Sequence, residues 1–84
     1  MISKATPSFW RCFHALPVRV QRVAYKNYQV WLQNPHHPSL RFKPLKGDLW
    51  SVRVGSHYRA AGYFRDYNTF VWIWIGSHEE YNKI

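Results

Sequence analysis

Apolar positions in this chain change their period near its middle. Before residue 34 they recur every third or fourth position, and from residue 50 they alternate. Thr6-Pro7 opens the first helical stretch, since threonine caps free amides and proline suits the first turn. The pattern predicts a short helix over about Pro7–Ala15, with Phe9, Trp10 and Phe13 as its apolar side. Leu16-Pro17 interrupts it, and Pro17 opens a second helix. There Val20, Val23, Ala24, Tyr28 and Trp31 share one face, while Arg19, Arg22, Lys26, Gln29 and Gln33 fall largely on the other. Asn34-Pro35 stops this helix, because proline disfavours helical geometry in the residue before it. Two helices joined so closely predict an antiparallel hairpin.

His36–Ser39 reads as a Pro-flanked loop, and Leu40, Phe42 and Leu45 predict a ragged strand broken near Pro44. After a turn at Gly47-Asp48, Trp50, Val52 and Val54 alternate with Ser51 and Arg53, the pattern of a half-buried strand. Gly55-Ser56-His57 turns the chain into Tyr58–Arg65, which places Arg59, Ala61, Tyr63 and Arg65 on one face. Asp66-Tyr67-Asn68 turns again into Thr69–Ile75, apolar on both faces and so expected in a central or doubly covered position. Gly76 is expected to end that strand, with Ser77–Ile84 as a tail whose helical turn Ser77 would cap. Helices followed by a meander of strands predict an α+β fold: an N-terminal helical hairpin packed on one face of a small antiparallel sheet.

Composition narrows the classes. A chain of 84 residues makes one domain spanning 1–84, and at 46% hydrophobic and 19% aromatic it is no disordered segment. The lone Cys12 excludes an intrachain disulfide and a cysteine-based zinc site. The longest apolar run, Phe70–Ile75, is too short to span a membrane, and Met1–Pro7 lacks the apolar core of a secretory signal. The cytosol is therefore the expected compartment, with no membrane partner. The formal net charge of +8 instead points to a polyanion, whether nucleic acid, a membrane surface or an acidic protein. Its acids, Asp48, Asp66, Glu79 and Glu80, offer no pair from separate segments, which argues against two-carboxylate glycoside hydrolysis.

If the last three strands are neighbours, Arg53, Arg59, His78 and Tyr81 converge at one end of the sheet, with Ser51 on the same face as Arg53. Such a set suits phosphodiester chemistry. Arginine holds a phosphate through two bonds and stabilises charge growing on it, and imidazole can deliver a proton to a leaving oxygen near neutral pH. The attacking group would be the substrate's own 2′-hydroxyl, so no metal or other cofactor is needed. Each residue also has a plainer reading. Arg53 could be solvated, Arg59 could pair with Glu79 or Glu80, His78 could be a surface histidine, and Tyr81 could cap the core with its ring. Lys43 and Lys46 read as solvated, though within reach of a polyanion on that sheet. His36-His37 lacks a spaced third metal ligand. On residue chemistry alone the chain is a basic nucleic-acid-binding fold.

Asn34-Pro35, then Pro38–Lys43, Trp50–Gly55, Tyr58-Arg59-Ala60 and the ending Trp72–Tyr81 resemble, in order and spacing, the RelE/ParE toxin superfamily. The resemblance covers about Phe9 to Tyr81 and implies helices packed on a twisted antiparallel sheet. It also implies a ribosome-dependent endoribonuclease acting on mRNA, opposed by an acidic antitoxin protein. By position, Arg59 matches the strand arginine at the scissile phosphate, and Arg53 a basic residue of the preceding strand. His78 matches the C-terminal residue of proton transfer, and Tyr81 the aromatic residue that follows it. Lys43, Lys46, Arg65 and His57 would then contact nucleic acid. Ser51 departs from the pattern, standing where members carry a second basic residue, and His57 in the nearby turn is the candidate substitute. The family's leading strand has only Ile2–Thr6 to form from. The alternative is a non-catalytic module, either a decayed toxin that binds RNA or an acidic protein, or one resembling the gyrase-inhibiting branch; retention of the Arg59/His78 pair argues against that branch.

Overall fold

The computed structural model describes residues 1–83; Ile84, the last residue of the predicted tail, lies outside them. Five strands form one open sheet in the order β1-β5-β4-β3-β2, where β1 is Ile2–Ala5, β2 Lys43–Lys46, β3 Leu49–Val54, β4 Tyr58–Asp66 and β5 Thr69–Ser77. The predicted meander β2–β5 is antiparallel throughout. The short leading segment does form a strand, β1, and it pairs parallel to β5, so the sheet is mixed. The ladder runs from Ile2 opposite Thr69 to Ala5 opposite Trp72 and is bracketed by two bonds, the Ile2 amide donating to the Asn68 carbonyl at 2.7 Å and the Thr6 amide to the Trp72 carbonyl at 3.0 Å. This pairing gives β5 a neighbour on each edge, and most of its residues are buried.

Helices α1 (Pro7–His14) and α2 (Val18–Gln33) cover one face, and a single turn, α3 (His78–Tyr81), follows β5. Thr6 caps α1 as expected, its Oγ1 accepting from the Phe9 amide at 3.1 Å. The predicted apolar face of α2 supplies Val20, Ala24 and Trp31 to the core. Trp31 packs against Phe70 and Trp72 with ring centroids 5.3 and 5.1 Å apart, and Phe42 closes on Phe70 at 5.6 Å. Large rings thus fill much of the core of this short chain. The helices do not close over the whole sheet: an apolar cleft of about 360 Å³ separates them, lined by Phe9, Trp10, Phe13, Tyr25, Tyr28 and Trp31.

Two local expectations change. Leu40 and Phe42 reach the core from a 3-10 turn (Pro38–Leu40) and the bend at Arg41, not from a strand; β2 begins at Lys43. Nor does Gly76 end β5, which continues through Ser77 because Gly76 and Ser77 still pair with Arg59 and Tyr58. At the opposite end of that hairpin, Asp66 accepts the Asn68 amide at 2.8 Å, and this bond holds its carboxyl below the usual carboxylate range.

Candidate functional site

The uncovered sheet face is set by register, because residues directly opposite on neighbouring strands point the same way. Val52 pairs with Ala60 and Val54 with Tyr58 on the helix side. On the other side Arg53 stands opposite Arg59 and Ser51 opposite Ala61, while Gly76 and Trp74 of β5 extend these two rows. Trp74 reaches this face because β5 carries an extra residue between Trp72 and Trp74, a bulge that reverses its alternation. The predicted adjacency of β3, β4 and β5 is therefore correct, and it lays two arginines side by side.

Opposed like charges on adjacent strands destabilise a sheet unless something lies between them. Arg53 is half-buried, and its Nε donates to the Gly55 carbonyl at 3.0 Å, folding the side chain against the β3–β4 turn. Gly55 holds a φ of +62°, a conformation that glycine adopts without strain. Arg59 is also half-buried, and its Nη1 is shut off from solvent with no hydrogen-bond acceptor among the described residues. A buried donor left unpaired costs about 1–3 kcal/mol, more for a charged group. Together the two guanidiniums make a place that an anion would stabilise.

The C-terminal turn completes the cluster. Ser77 Oγ accepts the Glu80 amide at 3.2 Å, and Glu80 Oε1 accepts the Ser77 amide at 3.1 Å, a reciprocal cap. Glu80 is therefore committed to the helix cap, not to Arg59. Only glycine fits at position 76, because a Cβ there would lie 2.5 Å from the Trp74 ring and 3.0 Å from Glu80 Oε1. The His78 amide donates to the His57 carbonyl at 2.7 Å, tying α3 to the β3–β4 turn. From this base the Tyr81 ring lies over the sheet, 5.6 Å from the Arg59 guanidinium carbon and 5.7 Å from the His78 ring. Its hydroxyl donates to Ser51 Oγ at 3.3 Å.

Replacing Ser77 with alanine removes the cap, which is worth about 0.5–2 kcal/mol. We expect faster hydrogen exchange at the Glu80 amide with the sheet amides unchanged; unaltered protection at Glu80 would contradict the cap's role.

The predicted residues thus divide. Arg53, Arg59, His78 and Tyr81 come together, with exposed His57 at the margin of the group. Lys43 pairs with Ser51 and so flanks the cluster on the same face, and Lys46 opposite Leu49 stands one row further away. Arg65 does not join: six residues along β4 from Arg59, it lies about 20 Å from it at about 3.3 Å per residue. Tyr81 is not a cap on the core; it packs on the opposite sheet face, beside Trp74 at 6.5 Å. In the 36–39 loop the His37 ring accepts the Ser39 amide at 3.2 Å, a local turn contact. Among the described residues no group of three or more His, Cys, Asp or Glu could hold a metal ion, and no helix is long and apolar enough to cross a membrane. Two contributors escaped the sequence reading: Ser51 as the Tyr81 acceptor, and Trp74. The first was signalled by a small residue in phase with Arg53, while the second was hidden by the bulge.

Comparison with known proteins bears on this geometry. The family model described as a ParE-like toxin domain matches residues 18–83. The RelBE2 toxin–antitoxin complex from Mycobacterium tuberculosis is similar with a TM-score of 0.73 and 22% identity, over 92% of this chain and 90% of that one. A YoeB/ParE toxin from Agrobacterium tumefaciens gives a TM-score of 0.72 at 19% identity, over 93% and 99% of the two chains. The archaeal RelE–RelB complex from Pyrococcus horikoshii gives 0.63 at 17%, over 90% and 92%. At such identities these likenesses speak for the fold alone. No curated protein matches the sequence.

Proposed function

This chain belongs to the ParE-like toxin domain family, within the RelE/ParE toxin superfamily, and from that premise we propose that it is an endoribonuclease that cleaves mRNA on the ribosome. The observation that carries this reading is the opposed pair Arg53 and Arg59, with a buried Arg59 donor unsatisfied and an imidazole-bearing turn beside it. A gyrase-binding surface would not require that combination, whereas a phosphodiester satisfies each part of it.

In this mechanism Arg59 and Arg53 hold the scissile phosphate and offset the charge that accumulates on its oxygens. The ribose 2′-hydroxyl attacks phosphorus and loses its proton to water as the new P–O bond forms. The bond to the 5′ oxygen breaks, and His78 in its imidazolium form gives that oxygen a proton. The products are a 2′,3′-cyclic phosphate and a 5′-hydroxyl, and no step calls for a metal. In this reading Lys43, Lys46 and His57 would meet flanking phosphates, and Arg65 would meet only a strand long enough to reach the far end of β4. The RelBE2 and archaeal RelE–RelB neighbours were solved as toxin–antitoxin complexes. We extend a partner of that kind to this chain, with an acidic character suited to its net charge of +8.

The test is cleavage of an mRNA by purified protein, with and without translating ribosomes and in the presence of a chelator, followed by end-group analysis. Ribosome-dependent fragments ending in cyclic phosphate and 5′-hydroxyl are expected. Intact mRNA together with inhibited DNA supercoiling by gyrase would replace this reading with the binding one.

A further inference from the structure

Ser51 is the most enclosed polar side chain of the uncovered face, with no exposed surface at all. It stands in a row running from Lys43 through Ser51 and Ala61 to Trp74; Ala61 beside it, and Gly76 in the adjacent row, are also buried. These small residues form a floor on which an aromatic ring can lie. A lysine or arginine at position 51 would fill that space. The ring that takes it is Tyr81, which comes from beyond the end of the sheet and whose hydroxyl ends on Ser51 Oγ. The same ring stands against the Arg59 guanidinium, whose Nη1 is closed off.

We propose that Ser51 is a positioning residue: by accepting the Tyr81 hydroxyl it pins the phenol ring beside Arg59 and so fixes the guanidinium for a single phosphate diester. This inference rests on the nucleic-acid reading of the site for its substrate class, but not for the tether itself. Ser51 touches no substrate. It acts through Tyr81, and the serine is then a rebuilt part of the site in place of an additional cation.

A purely structural serine, buried for packing, would affect stability without regard to Tyr81. The tether predicts instead that Ser51→Ala and Tyr81→Phe act as one change. The experiment uses full-length, nitrogen-15-labelled protein and follows the Arg59 Nε–H resonance, which senses the ring current of Tyr81. Each single variant is expected to move that resonance to the same new position, and the double variant to move it no further. An unmoved resonance in both single variants, or shifts that add in the double, would overturn the proposal. Tyr81→Phe keeps the ring and fills the same space, so a folded variant is available even if Ser51→Ala is damaged.

Affinity for a short RNA with 2′-O-methyl groups, which cannot be cleaved, supplies the second readout. Losing one hydrogen bond is expected to weaken binding about fivefold in either single variant, and by the same total of about fivefold, not more, in the double. If Arg59→Ala leaves RNA affinity unchanged, the nucleic-acid reading fails, while the resonance pattern still decides whether Ser51 holds Tyr81.

Discussion

His78→Ala is expected to reduce RNA cleavage by about 10²–10⁴-fold, the usual contribution of a positioned general acid, while leaving the fold intact. The imidazole is exposed at the first position of α3, and the link from this residue to the β3–β4 turn is made by its backbone amide, which alanine keeps. A surface substitution of this kind changes stability by about 0.5 kcal/mol or less. Activity and stability should therefore separate cleanly, with thermal unfolding almost unchanged. RNA affinity should also hold, since the arginines carry the phosphate. A substrate carrying a better leaving group at the 5′ oxygen should recover most of the loss, because such a group needs no proton. Cleavage that persists at the wild-type rate would remove His78 from the mechanism.

Arg59→Ala is expected to lower cleavage by about 10²–10³-fold, the cost of deleting one donor from a site that stabilises developing charge. Unlike His78→Ala, it should weaken RNA binding and flatten its dependence on salt, because a phosphate contact is lost. Its effect on stability is expected to be small for a different reason. The variant loses the contact between the guanidinium and the Tyr81 ring, worth about 0.5–1 kcal/mol. It also removes the like charge opposite Arg53, whose cost is about 0.2–1 kcal/mol. These terms oppose each other, and the orphaned Nη1 disappears with the side chain. A guanidinium retained where it adds almost nothing to folding is what a binding role predicts. Urea unfolding of the two proteins, set beside their RNA titrations, reads both effects. A large loss of stability in Arg59→Ala would assign the residue to the fold instead.

The sheet and its site were legible in the sequence to different depths. Period-two alternation in β3 and β4 put Arg53 and Arg59 on the same face, and the short Gly55–His57 connection made them neighbours. That part needed only the pleat. Ser77 announced the cap of α3, though not the part Glu80 plays in it, and the apolar composition of β5 announced its interior place. What stayed hidden depended on contacts distant in the chain. The parallel pairing of β1 rests on carbonyls of β5 and its preceding turn, about seventy residues later, and no local pattern reports it. The bulge between Trp72 and Trp74 reverses alternation without any sequence mark, which is why Trp74 was not read as part of the site. Ser51 was read as a missing cation; that it receives the Tyr81 hydroxyl follows from how far α3 folds back, a tertiary fact. Both predicted helices form, α1 opening at Pro7 and α2 just after Pro17, but the apolar cleft between them was not read from their faces.

The central claim, that this toxin-family domain cuts mRNA with Arg59 and His78, is tested most directly by controlled induction in bacteria with transcriptome-wide mapping of RNA 5′ ends. Wild-type protein is expected to arrest growth and produce new cuts in frame with translation, and His78→Ala, present at equal abundance, to produce neither. Arrest without new 5′ ends, or the same cuts from His78→Ala, would contradict the account.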